Sequence, residues 1–311
     1  MAEISSSVNQ KSGGTGKIWW HLAALFIMTV WGASFVSTKV LLENGLNAVE
    51  IFVYRGILAY FLLLIVCHKR IKSNGWRDEV LLAISGLLGI TIYFIAENTA
   101  IDYTLVGNVS LITSMSPLVT ALLLGLFYKN HRPGLEVYIG SLLAIMGVGC
   151  IIFQNGIKFQ ISAVGDLLAL SAAFAWALYG LIIARLNISY DALFITRKIF
   201  FYGVLFGLPF LIFEPTCGGL TALKKPEVLG NLLFLGIIAS TICFLLWTRA
   251  LKELGTVTAS NYNYLQPIST LVIAYFILNE AISLTGYFGC VLIMTGLVVS
   301  DKLTVKPRVR T

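Results

Sequence analysis

Apolar residues fall in ten long runs separated by short polar breaks, at 18–42, 48–67, 80–98, 104–127, 137–153, 166–186, 192–213, 228–250, 256–278 and 284–300. A helix needs about 20 mainly apolar residues to cross a bilayer. The pattern therefore predicts an all-α integral membrane protein with ten transmembrane helices, leaving only polar tails at 1–17 and 302–311. The opening run is too long for a signal-peptide core and lacks a small-residue cleavage site, so it is expected to remain as the first span. The "SGGTGK" before it has neither a preceding strand nor a Ser or Thr after the lysine, and reads as tail rather than phosphate-binding loop.

A longer period lies over the short one. "GLLGITIYFIAENTAIDYTLVGNVSLITSMSP" (86–117) aligns with "GIIASTICFLLWTRALKELGTVTASNYNYLQP" (236–267) at a constant shift of 150, matching Gly86, Thr91, Ile92, Phe94, Ala100, Ser110 and Pro117 to Gly236, Thr241, Ile242, Phe244, Ala250, Ser260 and Pro267. Upstream, "IFVYRGILAY" (51–60) matches "LFITRKIFFY" (193–202), and Trp31 answers Trp176; downstream, Tyr138 and Gly147 answer Tyr287 and Gly296. The chain thus reads as two five-span units, 18–154 and 165–301. Because five is odd, the second unit must enter the membrane from the opposite side. This is an inverted-topology repeat, an arrangement that puts a substrate site near the midplane between the halves.

Charge gives the orientation. With both ends cytoplasmic, inside segments hold fifteen Lys and Arg residues against three outside (Lys158, Lys224 and Lys225), with Lys39, Arg55, Arg197 and Lys198 inside spans. The positive-inside rule favours that topology. The loop with Lys129, His131 and Arg132 has a counterpart carrying Glu280 and no base, as inversion requires.

The ordered set of "WGASFVSTKVL" (31–41), an arginine early in the second span, small and hydroxyl residues ahead of a proline in the fourth and ninth spans, and "LNEAIS" (278–283) resembles the EamA-type transporters of the drug/metabolite transporter (DMT) superfamily. The resemblance covers 18–300, and departs from the family where "KNHRPG" stands in place of a Gly-Glu after the fourth span. It implies a bacterial inner-membrane carrier working by alternating access, commonly an exporter of amino acids or other small metabolites. A carrier of nucleotide sugars or phosphorylated sugars shares the ten-span plan and is the alternative; it would need clustered bases in its cavity.

Composition agrees and narrows the field. Apolar residues make up 58% and charged residues 12% of the 311, against about a quarter charged in soluble domains. The net charge of +7 sits in short clusters between spans, not in the stripe that a nucleic-acid partner needs. Five cysteines without a Cys-x-x-Cys pair indicate neither disulfides nor zinc. His21, His68 and His131 have no metal-ligand spacing, and no Gly-x-Ser-x-Gly or His-Glu-x-x-His occurs, so an integral membrane enzyme is a remote reading. The expected partners are a small-molecule substrate and the lipid bilayer, with no nucleic acid, no obligate protein partner, no cofactor and no metal.

Polar groups inside spans are expensive and become candidates by default. Glu97, followed by Asn98, is the deepest acid, suited to take up a proton or hold a substrate amine. Lys39 is either a cavity residue or a lysine snorkelling to the interface. Arg55 and Arg197 are the matched pair of the repeat and are expected in gating or structural roles, with binding of a substrate anion the other possibility. Asn263, Gln266 and Thr270, spaced i, i+3 and i+7, project from one face of an uninterrupted helix, as do Thr113, Ser116 and Thr120 in the first unit. Lipid cannot satisfy such groups, so this face should meet protein or water. Pro117 and Pro267 should kink or break their helices about halfway. Among the aromatics, Trp31, Trp176 and Tyr264 are the candidates for a cavity wall, while Tyr93, Tyr179 and Trp247 are expected to pack or to sit in the interfacial belt. Ala169, Ala173 and Ala177, and Gly203 with Gly207, are expected to let helices approach closely.

Overall fold

The architecture was obtained as a computed structural model that describes residues 14–68, 71–103, 106–127, 133–152, 163–213, 219–278 and 284–302. Both tails' ends, the loop with Lys129, His131 and Arg132, and Lys158 and Glu280 lie outside the described residues. Every regular element among the described residues is helical. In chain order they are α1 (Gly14–Glu43), α2 (Ala48–Val66), α3 (Trp76–Tyr103), α4 (Val106–Thr113), α5 (Ser116–Phe127), α6 (Leu135–Ile152), α7 (Ala163–Leu186), α8 (Ala192–Gly207), the short α9 (Phe210–Phe213) and α10 (Gly219–Ala222), α11 (Pro226–Leu254), α12 (Thr256–Asn261), α13 (Gln266–Leu278) and α14 (Leu284–Lys302). Among the described residues, six helical stretches are long and apolar enough to cross a membrane: Lys17–Glu43, Ala48–Val66, Trp76–Tyr103, Val164–Leu186, Ala192–Phe213 and Pro226–Leu254. Ser116–Leu126, Leu135–Gly147 and Leu284–Ser300 are shorter apolar helices. Large apolar side chains such as Ile65, Leu126, Leu142, Ile212, Phe288 and Val291 stand exposed on the outside of the bundle. That surface suits lipid, and the chain is a multi-pass membrane protein.

Local sequence explains where these helices start and bend. Asn47 caps α2 by accepting from the Glu50 amide at 2.7 Å, while the Glu50 carboxylate accepts from the Asn47 amide at 3.0 Å, a reciprocal capping box. Asp191 caps α8 by accepting from the Leu193 amide at 3.2 Å. In α3 and α11 the middle turns widen to π geometry, at Leu87–Ile92 and Phe234–Ile242. Each contains a threonine five residues after a glycine: the Thr241 hydroxyl donates back to the Gly236 carbonyl at 2.8 Å, while the Thr91 hydroxyl donates to the Gly203 carbonyl of α8 at 2.8 Å with that of Gly86 at 3.5 Å. The five-residue reach matches the register of a π turn.

The two prolines act at breaks already made. The chain turns at Ser114 and Met115 before α5 begins, and a 3₁₀ turn at Tyr262–Leu265 precedes α13. Pro117 and Pro267 then occupy the second residue of α5 and α13, where the missing N–H has no intrahelical acceptor to lose.

Packing brings the two halves of the chain together. Helix α6 lies antiparallel to α14, with Gly140 against Gly296 and Gly147 against Gly289: a methyl added at either of Gly140 or Gly296 would sit 2.5 Å from the other's carbonyl oxygen, and one at Gly147 would sit 2.6 Å from that of Gly289. The helix α2 packs on the π turn of α11, and α8 packs on the π turn of α3. Helix α1 packs on α11 and α13, and α7 on α3, α4 and α5. The core between them is built from aromatic and aliphatic side chains of α1, α2, α3, α7, α8 and α11.

Candidate functional site

The crossing of α1, α2, α3, α7, α11 and α13 leaves a buried cleft, and its wall is mostly aromatic. Trp31 meets Trp176 edge-on with ring centroids 5.3 Å apart, and Phe244 at 5.4 Å. Tyr93 lies 4.8 Å from Trp176, and Trp247 closes the back of the group 5.4 Å from Trp31. Edge-to-face and tilted pairs of this kind hold rings rigidly as well as burying area. The cleft is a narrow slot lined by Trp31, Ser34, Arg55, Tyr93, Phe94, Glu97, Trp176, Phe244 and Gln266. Its widest part has room for about one water.

Arg55, Glu97 and Gln266 line this slot beside the hydroxyl-bearing Ser34 and Tyr93. The Arg55 guanidinium lies 4.1 Å from the centroid of the Phe94 ring, and its Nε donates to Ser240 Oγ at 2.9 Å. Glu97 Oε1 accepts from the Tyr93 hydroxyl at 2.9 Å. Gln266 is buried at the α1 side, where Gly32 lets α13 approach so closely that an added methyl would sit 2.6 Å from Ser269 Cβ. Burying an ion costs several kcal/mol even after relaxation, while a desolvated cation–π contact returns about 2 kcal/mol and a hydrogen bond to a charged group about 1.5–3 kcal/mol. Arg55 is thus roughly compensated with its two terminal nitrogens still unused among the described residues. Arg55 and Glu97 attract each other across the cleft, yet the ion pairs found among the described residues are elsewhere, Lys39 with Glu43 and Lys198 with Glu79. The slot therefore presents a guanidinium and a carboxyl group to a shared space without closing them on one another.

The structure brings together Trp31, Arg55, Glu97, Trp176 and Gln266 of the residues singled out from sequence. The others have different surroundings. Asn98 donates to the Ala48 carbonyl at 3.1 Å, and Thr113 to that of Val109 at 2.8 Å. Asn263 donates to Ser116 Oγ at 3.0 Å, joining the two broken helices, and Thr270 donates to the Gly32 carbonyl at 3.2 Å, tying α13 to α1. Tyr264 is buried with its hydroxyl toward Ser141 and the Leu118 backbone. Lys39 is partly exposed, 3.9 Å from Glu43 one turn on. Arg197 donates from Nη1 to the Cys67 carbonyl at 3.0 Å, at the C-terminal end of α2, where a cation complements the helix dipole. Asn263, Gln266 and Thr270 meet different neighbours: Asn263 bonds Ser116, Gln266 lines the slot, and Thr270 bonds the carbonyls of Gly32 and Gln266.

Sequence reasoning set Tyr93 aside as packing and did not single out Ser34, Phe94, Phe244 or Ser240 for the site. The recurrence of Phe94 as Phe244 in the repeat was the available signal. No comparable signal marks Ser34 or Ser240, whose roles depend on which helix crosses opposite them.

Comparison with known proteins follows the same outline. The model of the EamA-like transporter family matches twice, over residues 18–153 and 163–300. An "Uncharacterized transporter" of Archaeoglobus fulgidus is 28% identical over 280 residues, covering 89% of this chain and 95% of that protein. A "Probable amino-acid metabolite efflux pump" of Escherichia coli (strain K12) is 24% identical over 286 residues, covering 89% and 93%. A protein crystal structure at 18% identity superposes with a TM-score of 0.71 over 91% of this chain and 98% of that one, a likeness of fold.

Proposed function

From the premise that the chain belongs to the EamA-like transporter family, we propose that it exports amino acids or related amphipathic compounds by alternating access around the aromatic cleft. The observation that carries this reading is the disposition of Arg55 and Glu97, opposite charges on one apolar slot with no ion pair between them. An α-amino acid brings the complementary pair: its carboxylate suits the fork of Arg55, its ammonium suits Glu97 and the faces of Trp31 and Trp176, and its side chain suits the rings. Gln266 adds a donor and an acceptor beside them. The E. coli relative's name is in keeping with this chemistry.

Ten spans in two inverted five-helix units, with both termini cytoplasmic in a bacterial inner membrane, form the frame of the proposal. Its support is internal symmetry. The π turns, the breaks before Pro117 and Pro267, and the crossed glycine pairs of α6 and α14 recur at matched positions. Since the slot as it stands has little free room, substrate entry requires the surrounding helices to part, and matched halves offer two related ways to do so.

Sugar phosphates fit less well, because Arg55 is the cation on the slot among the described residues, while Lys39 and Arg197 are engaged elsewhere. Uptake of labelled amino acids and of labelled phosphorylated sugars into proteoliposomes, with and without a proton gradient, tests the proposal. Saturable amino-acid uptake without sugar-phosphate uptake is expected. Sugar-phosphate uptake alone would overturn it.

A further inference from the structure

Two residues of the cleft wall, Trp31 and Arg55, come from different helices yet are held by neighbouring residues of a third. Trp31 Nε1 donates to the Ala239 carbonyl at 3.0 Å, and Arg55 Nε donates to Ser240 Oγ at 2.9 Å. Ala239 and Ser240 are fully buried in the π turn of α11, Phe234–Ile242. A π turn shifts the residues after it out of the α-helical register and is a recurrent feature of functional sites. Here the widened turn offers a backbone acceptor and a hydroxyl side by side, one to each wall residue.

The matched position in the other half gives a second, independent observation. At the shift of 150, Ser240 corresponds to Ile90, which lies in the π turn of α3 and packs so tightly on α8 that a methyl at Gly203 would collide with it. Arg197, the counterpart of Arg55, reaches the Cys67 carbonyl instead. The arginine turns into the cleft in the half whose partner helix supplies an acceptor, and is found elsewhere in the half whose partner helix supplies an isoleucine.

We propose that Ser240 is a positioning residue for the substrate's anionic group, acting through Arg55. By accepting from Nε it fixes the guanidinium plane over the Phe94 ring. That leaves Nη1 and Nη2, which have no protein acceptor among the described residues, as a free fork on a residue that lines the slot. A fork held in this way binds a carboxylate with two parallel hydrogen bonds, and pre-setting its plane removes the ordering cost from the binding step. The assignment rests on the reading that the slot takes an amino acid, and it adds which residue sets the affinity for the carboxylate.

The test uses the full-length protein in detergent, with the twenty protein amino acids and their carboxamides as probes, screened by thermal shift and followed by equilibrium binding of the tightest. Ser240→Ala is expected to raise Kd for that amino acid about tenfold, the scale of one hydrogen bond to a charged group, with Kd for its amide unchanged. Ser240→Thr, which keeps the hydroxyl, should restore most of the discrimination. Equal weakening of acid and amide by Ser240→Ala, with Arg55→Gln still abolishing the preference for the acid, would overturn the positioning role and leave the amino-acid reading standing. If no probe binds, or wild type binds acid and amide alike, that reading and the positioning role fall together.

Discussion

Arg55 and Arg197 occupy the same position of a duplicated unit and do different things. Arg55 stacks on Phe94, bonds Ser240 and faces the slot; Arg197 bonds the last carbonyls' end of α2 through Cys67, beside the Lys198 and Glu79 ion pair. Their neighbours have diverged in step. Glu97 corresponds to Trp247, and Ser240 to Ile90, so the first half supplies both ionisable groups of the site and the second supplies the serine that bonds one of them, while both contribute rings. Duplication preserves a backbone framework, and the chemistry at each matched position is then decided by what the crossing helix presents.

The largest expected effect separates the two arginines. Arg55→Gln should lower the transport efficiency for an amino acid about 100-fold or more, since truncating a buried, hydrogen-bonded charge partner costs about 2–5 kcal/mol. Arg197→Gln should leave efficiency within about threefold, the range of an indirect effect, and lower thermal stability instead. Equal transport losses would erase the contrast. A smaller effect checks what the halves still share. Gly147→Leu and Gly296→Leu, at matched positions of the two halves, place side chains against the facing helix's backbone and should destabilise the detergent-solubilised protein to a similar degree, about 1–3 kcal/mol as overpacking does; thermal unfolding of the two variants measures this, and a tolerant α6 with an intolerant α14 would break the symmetry argument. The smallest is at the bridge between the broken helices. Asn263→Ala removes the bond to Ser116 and should cost about 0.6 kcal/mol, the mean for interhelical hydrogen bonds in membranes, visible as a small shift in the same unfolding experiment.

Much of the frame could be read from sequence because it rests on periodicities that survive in one dimension. The apolar runs 18–42 and 48–67 reappear as Gly14–Glu43 and Ala48–Val66, and the repeat points directly at Gly86 with Gly236 and Thr91 with Thr241. Even so, the sequence reading missed that these Gly and Thr pairs mark π turns, because a five-residue reach between a hydroxyl and a carbonyl becomes meaningful only on a built helix. For Asn263, Gln266 and Thr270 the spacing indicated polar groups in need of partners but not which partners, Ser116 for Asn263, the slot for Gln266 and Gly32 for Thr270. Trp31, Arg55, Glu97, Trp176 and Gln266 could be picked out as polar or aromatic groups at depth. Which of them converge, and that Lys39, Tyr264 and Arg197 do not join them, depends on helix crossings that no single span encodes.

The central claim is that the slot recognises both charges of a zwitterion. The most direct measurement is competition in proteoliposomes: inhibition of labelled amino-acid uptake by the unlabelled amino acid, by its carboxamide, which lacks the anion, and by its N-acetyl derivative, which lacks the cation. The account predicts that each derivative competes at least about tenfold more weakly than the parent, one charge-assisted hydrogen bond or more being lost in each. Either derivative competing as well as the parent would contradict it.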